Sequence, residues 1–286
     1  MYSIAEKLRH ASEILQSSGI IEPRREANSL LTLALQKDKL FLVAHPEYEI
    51  SFEEENRFQD FLQRRANHEP FQYIAGKQEF YGLDFEVNRN VLIPRPETEL
   101  IVESAIEILH TKRNSNFCEV GIGSGCIAVS ILHQIKTARA TGLDVSPKAL
   151  EIAARNAATH EVSNRLELKI SDVFEVLKDE NFDLIVSNPP YIPRGDIENL
   201  QAEVRGFEPI IALTDGKEGL SIIEKIIAES PKFLNEEGFL LLEIGFGQAE
   251  AVREMFEPEI WRAVDIFPDL QGIPRTVRAL KVKSEM

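Results

Sequence analysis

From residue 96 onwards, short apolar runs alternate with segments of helical pattern. Helical patterns such as Pro147–His160 separate most of the runs. The runs are Phe117–Val120, Ala138–Leu143, Arg165–Ile170, Phe182–Val186 and Phe239–Ile244. Strands that alternate with helices predict an open, mostly parallel sheet with helices on its faces, which is the α/β class. Two further runs, Trp261–Phe267 and Thr276–Val282, lie close together near the end of the chain and predict an antiparallel edge pair.

The first 75 residues have a different texture, because their apolar residues recur at helical spacing. Pro23 and Pro46 punctuate the predicted helices. The segment Gln78–Val87 then predicts two short strands around a turn at Gly82. We therefore expect a small helical domain over residues 1–75, a β-hairpin connector over 76–90 and the α/β domain over 91–286.

Composition limits the classes of function. The chain has 286 residues and a net charge of −15, which disfavours direct nucleic-acid binding through a basic face. Its two cysteines, Cys118 and Cys126, have neither metal-ligand spacing nor a disulfide framework, and the six histidines are scattered. We therefore expect no metal site. We also expect a cytoplasmic protein, because the sequence lacks a signal peptide and an apolar stretch of membrane-spanning length.

A glycine-rich turn follows the first predicted strand of the α/β domain. Its glycines let a ligand approach the backbone closely, and the start of the predicted helix IAVSIL after Cys126 offers free N–H groups. The spacing is G-x-G-x-G rather than the G-x-G-x-x-G of dinucleotide-binding proteins, so a nicotinamide dehydrogenase is disfavoured. With the acidic Glu119 before it, the turn indicates S-adenosylmethionine, although a purely structural turn stays open. The predicted cofactor residues are Gly121, Ile122, Gly123, Ser124 and Gly125.

Two acidic residues follow the next two predicted strands and support a nucleoside-like ligand. Asp144 ends the second run, where an acid can accept hydrogen bonds from both ribose hydroxyls. Asp172 follows the third run, so its carboxylate can accept from an adenine amino group while the Val173 N–H meets a ring nitrogen. Either acid alone would also suit a helix N-cap. Three signals at the carboxyl ends of successive strands favour a cofactor site.

The fourth predicted strand ends in the segment SNPPYIP, residues 187–193. Two consecutive prolines fix φ at about −65° and make a stiff corner. One alternative is that this corner only terminates the strand. In a doubly wound sheet this strand lies beside the first, so the corner should face the same crevice as the glycine turn. The Asn188 side-chain oxygen and the Pro189 carbonyl can then hold both N–H bonds of a planar amide or amine, on which Tyr191 stacks. Such catalysis relies on positioning, without a metal.

Several long segments occur in the order that one known family has. They are EPFQYIAGKQEFYGLDFEV, VLIPRPETEL, EVGIGSGCIAVSIL, GLDVSPKALEIAARNA, VSNPPYIP, EVRGFEPIIALTDGKEGL and LLEIGFGQ. Through them the chain resembles, nearly end to end, the protein-(glutamine-N5) methyltransferases that modify peptide-chain release factors. Only the late segment DLQGIPRTVRAL matches loosely.

This resemblance implies a fold and an activity. The fold is a seven-stranded, Rossmann-like S-adenosylmethionine-dependent methyltransferase domain, joined by a β-hairpin to an N-terminal helical domain. We expect the helical domain to recognise the substrate. The activity is methyl transfer to N5 of the glutamine in the GGQ motif of release factors, which leaves S-adenosylhomocysteine and supports translation termination. We expect a monomer that contacts neither nucleic acid nor membrane.

The resemblance also carries residue roles onto this sequence. It implies that Asn188, Pro189, Pro190 and Tyr191 bind the substrate. Of these four, Asn188, Pro189 and Tyr191 are expected to be catalytic. The cofactor residues that it implies are Gly121 through Gly125, Asp144 and Asn188. Where the family often has an aromatic residue beside the adenine, this chain has Val173, followed by Phe174 as a candidate substitute.

Two other functions fit parts of the pattern. An N6-adenine nucleic-acid methyltransferase uses a similar corner, because adenine also offers a planar amino group, but the acidic chain lacks the expected basic face. A catalytically silent cofactor-binding scaffold would keep the fold, and the presence of Asn188 and Tyr191 speaks against it.

Overall fold

The computed structural model describes residues 3–283, which form two compact units. The first unit ends at Gly76 and also takes in the later segment Gln201–Phe207. The second unit covers Lys77–Leu200 and continues from Glu208. The hairpin that we expected to connect two domains therefore belongs to the second unit, and one short stretch of the α/β region belongs to the first.

The first unit is helical, and its two longest helices begin at capping boxes. The side chains of Ser3 and Ser51 each accept a hydrogen bond from the N–H of the third helical residue, Glu6 or Glu54. The carboxylate of that glutamate accepts one from the backbone N–H of the capping serine. Fully buried apolar side chains such as Phe58 form the core between the helices. The helices before residue 77 are α1 (Ile4–Ser17), α2 (Pro23–Leu35), α3 (Lys39–Ala44), α4 (Phe52–Ala66) and α5 (Phe71–Ala75).

A buried arginine links the two chain segments of the first unit. The side chain of Arg65 in α4 is 5% exposed and pairs with Glu26 of α2 at 2.8 Å and with Glu203 of the later segment. Burial of a guanidinium is tolerated only when carboxylates satisfy its fork of donors, as they do here. Arg65 therefore ties Gln201–Phe207 to the helices of this unit.

The second unit is built on a seven-stranded sheet and a separate hairpin, β1–β2. The strands are β1 (Lys77–Phe80), β2 (Leu83–Glu86), β3 (Asn116–Val120), β4 (Arg139–Asp144), β5 (Leu166–Ile170), β6 (Phe182–Ser187), β7 (Leu234–Glu243), β8 (Trp261–Pro268) and β9 (Pro274–Lys281). In space the sheet runs β5-β4-β3-β6-β7-β9-β8. The first five of these strands are parallel, and β9 and β8 form the antiparallel edge pair that the sequence predicts. The α/β prediction is thereby confirmed.

Helices cover both faces of this sheet, as its two apolar clusters require. After α5 the chain forms α6 (Glu99–His110), α7 (Cys126–Gln134), α8 (Pro147–Thr159), α9 (Ala202–Phe207), α10 (Ile210–Leu213), α11 (Ser221–Glu229) and α12 (Ala249–Glu254). Of these, α9 lies in the segment that belongs to the first unit. Among residues 3–283, no helix is both long and apolar enough to cross a membrane.

The position of the crevice follows from the strand order. β4 and β5, the next two strands in the chain, lie on one side of β3, and β6 and β7 lie on its other side. The order therefore reverses between β3 and β6, which pair in parallel with Val120 opposite Ser187. At such a reversal the connections leave in opposite directions and open a crevice at the carboxyl ends of the strands. The prediction that the first and fourth strands are neighbours is confirmed.

Candidate active site

A cavity of about 330 Å³ opens at the carboxyl ends of the parallel strands. It brings together the three sequence motifs. The residues of these motifs that line it are Gly121, Ile122, Gly123 and Ser124, then Asp144, Asp172 and Val173, then Asn188 and Pro190. Of the predicted residues, Gly125, Pro189 and Tyr191 are not among those that line it.

Gly121 and Gly125 have different roles in the turn. All have positive φ, with values of 72° at Gly121, 54° at Gly123 and 81° at Gly125, which other residues rarely adopt. A Cβ at Gly121 would meet no atom within 4 Å, so this position leaves open space beside the cavity. A Cβ at Gly125 would lie 3.3 Å from the Cβ of Ala153. Gly125 therefore lets α7 begin close to α8.

The buried carboxylate of Glu119 binds the first turn of the helix that follows the glycines. Glu119 is 1% exposed, and its Oε2 accepts a hydrogen bond of 2.8 Å from the N–H of Ala128 in the first turn of α7. This bond satisfies a donor that has no partner within the helix. Burial raises the pKa of the Glu119 carboxyl well above its usual range, and the charge of Asp144 raises it further. The acidic residue before the glycines thus fixes the start of the helix.

Asp144 connects the end of β4 to the glycine turn. Its two carboxylate oxygens accept N–H bonds of 2.9 Å, one from Gly123 and the other from Ser146. Burial raises the pKa of this carboxyl, and these backbone hydrogen bonds oppose the shift. Each carboxylate oxygen keeps a second lone pair, so Asp144 can still accept from two hydroxyls in the cavity. That capacity is what a ribose would need.

The loop after β5 has a strained backbone at its cavity residue. Val173 has φ 51°, which is rare for a β-branched residue and therefore holds its backbone in a defined direction. The neighbouring Asp172 forms an ion pair of 3.1 Å with Lys225. Phe174 is buried and packs its ring 5.1 Å from that of Phe233, so it lies in the core rather than among the cavity residues.

The proline corner is held by a chain of side-chain hydrogen bonds. The Asn188 Nδ2 donates to Thr98 Oγ1 at 3.1 Å, and Thr98 Oγ1 donates to Glu243 Oε2 at 2.7 Å. The Tyr191 hydroxyl donates to the other oxygen of Glu243 at 3.1 Å. Burial raises the pKa of Tyr191, and the Glu243 charge raises it further. Both polar side chains of the corner thus end on one carboxylate.

The backbone of the corner is braced by two neighbouring loops. The Gln248 Nε2 donates to the Tyr191 carbonyl at 2.9 Å, and its Oε1 accepts from the Gly245 N–H at 2.8 Å. Asp215 shapes the second loop by accepting from Gly219 N–H at 2.9 Å and from Ser221 N–H at 2.8 Å. Although burial opposes the shift, hydrogen bonds from the Ser221 hydroxyl and from the N–H groups of Lys217, Ser221 and Gly219 lower the pKa of Asp215 to about 2.

Sequence reasoning missed several residues that shape this site. Thr98 and Glu243 lie in the segments VLIPRPETEL and LLEIGFGQ, but the sequence assigns no role to either. No local pattern marks either, because their hydrogen bond joins positions 145 residues apart. The missed residues that contact the corner are Thr98, Glu243, Gln248 and Gly219.

Two family models match separate parts of the chain. The family model for the PrmC N-terminal domain matches residues 6–76, and that for the methyltransferase small domain matches residues 98–204. Among solved structures, a methyltransferase from Pyrococcus furiosus superposes with a TM-score of 0.54 at 19% identity, over 78% of this chain and 99% of that one. This likeness supports the fold alone.

Curated relatives extend the match over nearly the whole chain. The release factor glutamine methyltransferase of Geobacter sulfurreducens is 41% identical over 97% of this chain and 96% of its own length. That of Koribacter versatilis is 38% identical over 94% of this chain and 95% of its own length. A bifunctional methyltransferase of Rickettsia bellii is 36% identical over 96% of this chain, which spans 54% of that protein. The chain therefore belongs to the family of release factor glutamine methyltransferases.

Proposed function

We propose that this protein transfers a methyl group from S-adenosylmethionine to the side-chain amide nitrogen of a glutamine in peptide-chain release factors, in the GGQ motif that the resemblance implies. The observation that carries the proposal is the position of Asn188. It lies in a stiff corner at the carboxyl end of β6 and lines the same cavity as Asp144 and the glycine turn. A planar amide and a nucleoside-like cofactor can therefore meet there.

The residues of the cavity fit S-adenosylmethionine. The volume of about 330 Å³ falls within the range of small-molecule sites. Asp144 is suited to the ribose hydroxyls, and the open space at Gly121 lets the cofactor approach the backbone. The Val173 N–H and the Asp172 carboxylate are proposed to meet the adenine edge. When bound, the cofactor supplies an electrophilic methyl group on a positively charged sulfur.

The corner is proposed to orient the substrate amide. An amide nitrogen is a weak nucleophile, because its lone pair is delocalised. If the Asn188 Oδ1 and the Pro189 carbonyl accept both N–H bonds, the nitrogen is held with its lone pair directed at the methyl group, and the Tyr191 ring stacks on the amide plane. Pro190 keeps this corner rigid. The corner contributes positioning and electrostatics. After transfer one of the two amide protons is released to solvent, and S-adenosylhomocysteine is the other product.

The alternatives now have less support. An N6-adenine methyltransferase would share the corner, but the full-length relatives at 38–41% identity carry the name of a protein-directed enzyme. The net charge of −15 also disfavours a nucleic-acid substrate. A silent scaffold would have no need for the buried hydrogen bonds that fix Asn188 and Tyr191.

The proposal is tested by incubating the protein with labelled S-adenosylmethionine and purified release factors, and by mapping the label with mass spectrometry. We expect label on one glutamine of a release factor. Asn188→Ala should lower kcat by about 100-fold, which corresponds to about 2.7 kcal/mol, and leave S-adenosylhomocysteine affinity within a few-fold. Asn188→Asp keeps one acceptor oxygen and should retain partial activity. Label on adenine of added DNA and none on protein would overturn the proposal.

We also propose that the helical domain, predicted over residues 1–75, recognises the protein substrate, and that the enzyme works as a cytoplasmic monomer without a metal or direct nucleic-acid contact. A photo-crosslinking amino acid at the 79%-exposed Phe52 should capture an intact release factor. The matched control places the same amino acid at exposed Glu236, near the amino end of β7 and away from the crevice edge. Equal capture at both positions would contradict a recognition role. Light scattering would measure the oligomeric state.

A further inference from the structure

The hydrogen bonds around Thr98 have a fixed direction. A carboxylate can only accept, so the single hydroxyl proton of Thr98 must point at Glu243. Toward Asn188, Thr98 Oγ1 then offers only lone pairs. The Asn188 side chain must therefore present its NH₂ group to Thr98, because its carbonyl oxygen would face another acceptor. This leaves Asn188 Oδ1 as the end that points away from Thr98.

The same carboxylate also fixes the tyrosine of the corner. The second oxygen of Glu243 accepts from the Tyr191 hydroxyl, which anchors the far end of that ring. The ring lies against Gly245, where a Cβ would come within 3.1 Å of Tyr191 Cδ2. Glu243 therefore acts on both polar side chains of the corner while not itself lining the cavity.

The two residues that form the Thr98–Glu243 hydrogen bond are both buried. Glu243 is 1% exposed and Thr98 is 2% exposed. A buried carboxylate contributes little stability even when its hydrogen bonds are satisfied, whereas removing one partner leaves a costly unpaired group. Burial accordingly raises the pKa of Glu243, and the two hydroxyl donors oppose that shift. A network of this kind serves orientation better than stability.

We infer that Glu243 and Thr98 are positioning residues for methyl transfer, which set the direction of the Asn188 amide and hold the Tyr191 ring through the hydrogen-bond chain Asn188–Thr98–Glu243–Tyr191. The inference rests on the proposed function. Neither residue touches the reacting atoms in this scheme. Glu243 determines which way Thr98 donates, and Thr98 determines which end of the Asn188 amide meets the substrate.

Steady-state kinetics with a release factor test this inference. Thr98→Val removes the acceptor for Asn188 and should lower kcat by at least about 10-fold, the effect of losing one buried hydrogen bond. Glu243→Gln adds a donor, which allows the chain to run in the opposite direction, and should lower kcat similarly. Thr98→Ser keeps the hydroxyl and should restore kcat to within about threefold of wild type. S-adenosylhomocysteine affinity should stay within about twofold in all three.

Thr276 offers a matched control. It is fully buried and lies opposite Glu243 in the register of β7 and β9, and its hydroxyl has no hydrogen-bond partner among the described residues. Thr276→Val makes the same chemical change as Thr98→Val at a buried threonine of the sheet, outside the hydrogen-bond chain, so kcat should stay near wild type. Equal losses of kcat in the two valine variants would overturn the inference, as would a Thr98→Ser variant no better than Thr98→Val.

A spectroscopic readout separates this inference from the proposed function. In protein labelled with ¹⁵N-asparagine, the side-chain amide signals of Asn188 are assigned by their loss in Asn188→Ala. Thr98→Val should shift these signals, and Thr276→Val should leave them in place. If wild type fails to methylate release factors, the proposed function fails, while the shift still supports the hydrogen-bond chain. Signals of Asn188 that do not respond to Thr98→Val would overturn the inference.

Discussion

Gly219 lies against the backbone carbonyl of Tyr191 so closely that a Cβ at position 219 would come within 2.1 Å of the carbonyl oxygen. Cβ atoms do not approach a backbone oxygen to that distance, so one of the two segments would have to move. The loop after α10 therefore accepts only glycine at this point, and the shape of the loop is coupled to the proline corner.

Gly219→Ala should therefore displace the corner and lower kcat by at least about 100-fold, in line with the loss of a positioned catalytic group. Gly216→Ala is the matched control. Both glycines have a similar positive φ, 76° and 79°, but a Cβ at Gly216 would meet no atom within 4 Å. Its cost should be limited to backbone strain of about 1–2 kcal/mol in stability, with kcat preserved. Kinetics and thermal unfolding of both variants check this, and equal kcat values would contradict it.

Gly121→Ala and Gly125→Ala should fail in different ways. At Gly121 the new methyl group would enter open space beside the cavity, so we expect weaker S-adenosylhomocysteine binding and a fall in Tm limited to the strain of the positive φ. At Gly125 it would press on Ala153 of α8, so we expect a larger fall in Tm. Calorimetric titration and thermal unfolding measure the two effects. Identical profiles would show that the glycines serve only to form the turn.

Asp144→Asn should weaken S-adenosylhomocysteine binding by about 10- to 100-fold, because hydrogen bonds to a charged acceptor contribute about 1.5–3 kcal/mol. The amide introduced at position 144 can also turn its NH₂ group toward the N–H of Gly123 or of Ser146, so that two donors face each other there. Glu175→Gln is a suitable control, since Glu175 is an exposed partner of Lys225 and is not among the residues that line the cavity. Calorimetry should find its affinity unchanged. An unaltered dissociation constant for Asp144→Asn would remove the ribose assignment.

Asp215 predicts a pH dependence of stability. Its folded pKa of about 2 lies below the value of about 3.9 for an unfolded aspartate. The stabilisation from its ionised form is therefore fully present above pH 4 and is lost as pH falls through about 2. The Tm difference between wild type and Asp215→Asn should be constant from pH 7 to 5 and should shrink below pH 4. Thermal unfolding across this range checks it, and a difference that does not vary with pH would contradict it.

Most of the sheet and the outline of the site were predictable from the sequence, for a physical reason. Strand–helix alternation and the glycine spacing are local patterns, and parallel strands bring their carboxyl ends to one edge. This is how the turn at Gly121 and the corner at Asn188 could be placed together before the structure was known. The register of the neighbouring strands confirms that placement.

The rest depends on contacts that no local pattern records. The hydrogen bond between Thr98 and Glu243 exists only because β7 and the start of α6 meet in the folded chain. The positive φ of Val173 goes against the preference of a β-branched residue, so the sequence points away from it. The prediction that Phe174 could replace an adenine-stacking aromatic assumed that it faced the cavity, whereas it is buried against Phe233.

The division of the chain also has a consequence for protein engineering. Because Gln201–Phe207 belongs to the helical unit, that unit is not an N-terminal cassette that can be exchanged by one splice near Gly76. A chimera that imports a foreign helical segment would keep the native Glu203 but would lose Arg65, its buried partner. Two grafts are needed, one on each side of the proline corner in the chain. Recombination between relatives should therefore succeed most often when both pieces come from the same parent.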